Sequence, residues 1–157
     1  MDDIKKISEK AKNIKEFSLS YFKRLKKIFE NIDENELVKF EKNLLEARSK
    51  GKTIFVFGNG GSASTATTMA NDLGFDIIKK TKTKKTFKFF CINDNTSVLT
   101  AIANDVGYDN VFINQLKIHY KKGDIAIILS ASGNSKNLIN AAKWIKNNKG
   151  KVLSIVG

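Results

Sequence analysis

Proline is absent from this 157-residue sequence, and cysteine and histidine occur once each. The lone Cys91 cannot close an internal disulfide, and it lies in an apolar, strand-like run, as expected of a reducing compartment. No apolar run approaches the roughly 20 residues that span a bilayer as a helix. The start, Met1-Asp2-Asp3-Ile4-Lys5-Lys6, is charged and then amphipathic, without the apolar core of a signal peptide. The expected location is therefore cytoplasmic, with no membrane partner. Gly58-Asn59-Gly60 is followed by Gly61-Ser62-Ala63, so the dinucleotide pattern G-x-G-x-x-G is not met. No Gly-Lys-Ser/Thr follows a glycine loop, which excludes a P-loop kinase. Acidic residues are few: 16 against 28 Lys and Arg, for a net charge of +12. Such a field could hold nucleic acid. Yet the lysines are dispersed among many Asn, Ile and Phe residues, the bias an AT-rich coding sequence produces. The densest run, Lys79 to Lys85, has no aromatics for base stacking. It reads as a solvated connection that adds to the steering of anions, and nucleic acid is not an expected partner.

What is present is the alternation of an α/β protein. At this length one domain, 1–157, is expected, with helices over 1–50 and an α/β core over 51–157. Ile4, Ile7, Ala11, Ile14, Phe17, Tyr21, Leu25 and Ile28 recur every three or four residues, predicting one long amphipathic helix. A second helix starts near Asp33, a plausible N-cap, and ends at Gly51. Strands are predicted over 53–57, 87–92, 125–130 and 151–156. Helices are predicted over 63–73, 96–104, 110–119 and 135–147. Short apolar strands separated by helices imply parallel pairing through right-handed crossovers, hence a three-layer α/β/α sandwich with a parallel, flavodoxin-like sheet. Ligands then bind at the C-terminal ends of the strands.

Two strand-to-helix turns fall at such ends. The first is Phe57-Gly58-Asn59-Gly60-Gly61-Ser62, where glycines let the backbone approach a ligand and the helix start favours an anion. The second is Ser130-Ala131-Ser132-Gly133-Asn134-Ser135, rich in hydroxyls. Together they suggest a site for a phosphorylated, polyhydroxylated ligand.

These two loops, with Ala101-Ile102-Ala103-Asn104-Asp105-Val106-Gly107-Tyr108 between them, resemble the SIS (sugar isomerase) domain family, and within it the bacterial phosphoheptose isomerases. The likeness runs from about Phe17 to the last residue. It implies aldose–ketose isomerisation of sedoheptulose 7-phosphate to a heptose 7-phosphate for lipopolysaccharide or capsule, in a homotetramer with the N-terminal helices packed between subunits. It implies a substrate site lined by Asn59, Gly60, Gly61, Ser62, Asn104, Asp105, Ser130, Ala131, Ser132 and Ser135. Position 131 is Ala where the family usually has Thr, so one hydroxyl contact is absent.

Enediol chemistry needs a carboxylate-type base near the C1 and C2 protons, a second acid/base near the oxygens, and firm phosphate anchoring. The resemblance implies a His and, four residues on, a Glu that hold zinc, the Glu also serving as base. Here those positions hold Thr68 and Asp72. Asp72 keeps a carboxylate and is the candidate base, whereas Thr68 is a poor zinc ligand. The family's other ligands lie on a further C-terminal helix, and His119 ends a helix that leads away from the loops. No complete zinc site is therefore expected. The strand ending at Gly157 stops where a further loop should begin, as in a fragment or in a shortened homologue that relies on oligomerisation. Loss of the His, the Glu and the Thr leaves a second expectation open, a non-catalytic SIS module that binds a phosphosugar or a protein partner. The resemblance extends to regulators of that kind, including a tetramer that binds the replication initiator.

Overall fold

A computed structural model describes residues 2–157; Met1, at the head of the charged segment and of the expected domain, lies outside the described residues. The chain divides into two compact units, residues up to Glu41 and Lys42–Gly157.

The first unit holds α1 (Asp2–Lys10), α2 (Ile14–Glu30) and the start of α3 (Glu34–Ser49). The single long helix expected over 4–28 is in fact two. Asn13 breaks it: its backbone is extended and its side-chain oxygen accepts the Glu16 N–H at 3.0 Å, a cap that starts a new helix. Asp33 does act at the start of α3, accepting the Asn35 N–H on its carboxylate at 2.8 Å. No residue of α2 is buried within the described chain.

The second unit is built on four parallel strands, β1 (Thr53–Gly58), β2 (Lys88–Cys91), β3 (Ile125–Ser130) and β4 (Lys151–Val156), in the order β2-β1-β3-β4. The parallel α/β class is as the alternation predicted. β1 and β3 are buried along almost their whole length, as parallel strands covered on both faces must be. Side chains alternate between the faces. Phe55 and Phe57 of β1 join Ala126 and Ile128 of β3 beneath α7 (Val111–His119) and α8 (Lys136–Asn147), with Phe112, Leu116, Ala141 and Ile145 closing that core. Ile54, Val56 and Ile127 lie on the opposite face and are also fully buried.

The helix after β1, α4 (Gly61–Asn71), starts two residues before the expected 63. It runs through a π-helical turn, Asp72–Asp76, into α5 (Ile77–Thr81). The lysine run was expected to be connection throughout. Helix persists into it because Thr81 donates back to the Ile77 carbonyl at 2.7 Å, and Lys82 ends it in a left-handed conformation. Next come α6 (Thr96–Asp105) and a short 3-10 turn, Tyr108–Asn110. Cys91 is buried at the end of β2, where desolvation pushes its thiol pKa up and keeps it protonated.

Within this unit the end of α3 is tied to β4 by Glu46, whose carboxylate accepts Lys151 Nζ at 2.8 Å and Lys50 Nζ at 2.6 Å. These two bonds hold its pKa down at about 2, against an ordinary 4.5. A depressed acid stabilises the fold above its unfolded pKa and ceases to as pH falls through the folded one. Acid unfolding should therefore show a loss between about pH 4.5 and 2 that Glu46→Gln removes and that high salt weakens. Thermal melts over that range check it.

Candidate functional site

The strand order positions the site. From β1 the chain goes to β2 on one side, then crosses to β3 on the other, so β1 and β3 flank the point where the winding reverses. Ligands of open parallel sheets bind outside the C-terminal ends at that point. Gly58 of β1 pairs with Leu129 of β3, so the two loops leave adjacent strands at the same edge.

The glycine loop is shaped by steric demand. A Cβ on Gly58 would lie 2.6 Å from Ser62 Cβ and 2.7 Å from the Leu129 carbonyl oxygen. Asn93 brackets this residue, accepting the Gly58 N–H at 3.1 Å and donating to its carbonyl at 2.9 Å. Gly60, at φ 53° and ψ −123°, turns the chain into α4. The N–H groups of Ser62, Ala63 and Ser64 close back on the Asn59 and Gly60 carbonyls. The amides of Gly60 and Gly61 lie outside these bonds.

In the second loop Ser130 is buried and its Oγ accepts the Gly133 N–H at 3.1 Å. The exposed Ser132 accepts the Asn134 N–H at 3.3 Å. Both hydroxyls use an acceptor lone pair to shape the loop, and these bonds leave their O–H protons uncommitted. The Ser135 hydroxyl makes no cap bond to α8, and Ala131 is exposed and offers no hydroxyl.

Side chains join the three motifs. The Asn59 and Asn137 amides form a reciprocal pair, Asn59 Nδ2 donating to Asn137 Oδ1 at 2.9 Å and Asn137 Nδ2 to Asn59 Oδ1 at 3.0 Å. Tyr108 Oη also donates to Asn59 Oδ1 at 3.0 Å, which brings the segment after Asn104-Asp105 to the first loop. An ion pair of 2.6 Å between Lys136 and Asp109 ties the same segment to the start of α8, and that bond raises the Lys136 pKa. Asn104 and Asp105 are exposed at the end of α6, with Asn104 Nδ2 donating to the Asp105 carboxylate at 2.8 Å.

Asn93, Tyr108 and Asn137 were not among the residues expected to line the site. The available signal was chemical: Asn both donates and accepts, so an Asn just after a strand or at a helix start can bracket a neighbouring turn.

Thr68 and Asp72 sit elsewhere. With Ser64, Thr65, Met69 and Leu73 they line an open, largely apolar groove of about 490 Å³ along α4. Thr68 Oγ1 donates to the Ser64 carbonyl at 3.0 Å, and Asp72 accepts from Asn71 Nδ2 at 3.1 Å. The zinc implied by the resemblance does not fit this donor pair. One member is a neutral hydroxyl already bonded to the helix backbone, and no His, Cys, Asp or Glu cluster among the described residues could complete the set. His119 is exposed at the end of α7 with its ring 5.1 Å from that of Phe90.

The chain belongs to the SIS domain family, whose model matches residues 20–157. Within it the sequence is similar to phosphoheptose isomerases. It is 38% identical over 149 residues to the phosphoheptose isomerase of Aliarcobacter butzleri, covering 94% of this chain and 76% of that protein. It is 37% identical over 116 residues to the probable phosphoheptose isomerase of Thermoplasma acidophilum, covering 74% of this chain and 62% of that one. The chain thus spans between about three-fifths and three-quarters of these relatives. The phosphoheptose isomerase GmhA from Neisseria gonorrhoeae superposes with a TM-score of 0.80 at 29% identity, over 92% of this chain and 76% of that one.

Proposed function

We propose that this protein isomerises a phosphorylated sugar between ketose and aldose forms, with sedoheptulose 7-phosphate as substrate and a heptose 7-phosphate as product. The observation that carries the reading is the meeting of the glycine loop and the serine loop on adjacent strands, Gly58 beside Leu129, joined through Asn59 and Asn137. The amides and hydroxyls there suit a phosphate in type and in sign. The similar proteins are isomerases by name, and the binding-only alternative draws no support from them.

In this reading the phosphate is held by Ser62, Ser130, Ser132, Ser135 and the loop amides, and Asp72 is the proton-transferring carboxylate. Ten residues of helix separate Ser62 from Asp72, about 15 Å along the axis. No step is assigned to a metal, given the donors at Thr68 and Asp72.

The protein is proposed to act in the cytoplasm, in the synthesis of heptose for surface polysaccharide, as a homotetramer. The apolar side chains that α2 leaves open, Phe22 at 65% and Phe29 at 68% exposed, support packing of the N-terminal helices between copies. Light scattering on the purified protein tests the assembly.

Ser132→Ala should remove one hydrogen bond to a charged acceptor, costing about 1.5–3 kcal/mol. Calorimetry with sedoheptulose 7-phosphate should then show affinity roughly 10- to 100-fold weaker. Unchanged affinity would place the phosphate elsewhere.

A further inference from the structure

The amide pair has a fixed polarity, and its origin can be traced to the backbone. The Leu138 N–H at the start of α8 can only donate, and it is shared between Asn137 Oδ1 at 2.9 Å and the Ser135 carbonyl at 3.1 Å. Asn137 is 2% exposed, so its amide has no alternative solvent partner to turn towards. With Oδ1 held there, where it also accepts Asn59 Nδ2 at 2.9 Å, Nδ2 is the group left to donate, and it donates to Asn59 Oδ1 at 3.0 Å. Tyr108 Oη donates to the same oxygen at 3.0 Å. Two donors thus occupy the carbonyl oxygen of Asn59, while its Nδ2 spends one N–H on Asn137 at 2.9 Å. A carboxamide has two acceptor lone pairs and two N–H donors. What Asn59 has left is a single N–H.

We propose that Asn137, which neither the sequence motifs nor the phosphate loops themselves assign to the site, is a positioning residue that locks the Asn59 amide as a donor toward an oxyanion or sugar oxygen. The assignment rests on the phosphosugar reading above and deepens it. A donor at the first loop suits a phosphate or a carbonyl oxygen that gains charge as an enediol forms, and an acceptor there would repel either one. Without Asn137 the Asn59 amide can rotate and present its oxygen.

A double-mutant cycle tests this, with sedoheptulose 7-phosphate as the probe in calorimetry and a thermal melt on each protein. Asn137→Ala and Asn59→Ala should each weaken binding roughly tenfold. The double variant should match Asn59→Ala alone within about twofold, because a residue that acts only through Asn59 has nothing left to position. Asn137→Ser, which keeps a small polar group at this buried place, should behave as Asn137→Ala does if the alanine variant folds poorly. Losses that add in the double variant, or an affinity unmoved by either change at position 137, overturn the assignment while leaving the phosphosugar site in place. Absence of binding by the unaltered protein overturns the phosphosugar reading and this assignment with it.

Discussion

Asp72→Asn should abolish isomerisation while leaving phosphosugar affinity almost unchanged. An amide cannot accept the proton that moves between C1 and C2, and general-base catalysis contributes on the order of 10²–10⁴-fold. Asp72 lies beyond the two loops, in the groove along α4, and its carboxylate bonds the neighbouring Asn71 amide, not the residues proposed to hold phosphate. The substitution should therefore separate chemistry from binding. The check is a steady-state assay of sedoheptulose 7-phosphate conversion beside calorimetry with the same compound. Full activity in the variant would move the base to another residue.

The second large effect is expected at Gly58. Its missing Cβ leaves room for both the Leu129 carbonyl, 2.7 Å from where a Cβ would stand, and the first turn of α4. Neither is a flexible side-chain end that could swing aside. Gly58→Ala must push β1 from β3 or displace the start of α4, and overpacking of this kind costs about 1–3 kcal/mol. For a chain of this size that is a melting-point drop of roughly 2–12 °C. The same shift would break the Asn93 bracket at 3.1 and 2.9 Å and disorder the glycine loop, so affinity for the proposed phosphosugar should fall along with stability. A variant that melts and binds like the unaltered protein would contradict this account of the loop.

Most of the α/β frame was legible in the sequence. The apolar runs of β1 and β3 are uninterrupted because both faces of a parallel strand are covered, and glycine or hydroxyl-rich turns end each one. Their co-location follows from strand order, which periodicity alone does not determine; the reversal between β1 and β3 is a property of the assembled sheet. The misjudged places have local causes. Asn13 divides a continuous apolar stripe because capping competes with helix propagation, and the stripe itself carries no mark of the break. The helix after β1 continues through a π turn into the lysine run because each solvated lysine still forms helix readily. In sequence Asn137 looks like surface, a polar residue in the first turn of a helix; only the fold shows it buried and paired across 78 residues with Asn59.

The measurement that bears most directly on the central claim is the incubation of the purified protein with sedoheptulose 7-phosphate, following aldose phosphate formation by NMR. Conversion to a heptose 7-phosphate is expected, at a rate that Asp72→Asn abolishes, with binding that Ser132→Ala weakens. Failure of the unaltered protein both to bind and to convert this compound would contradict that claim.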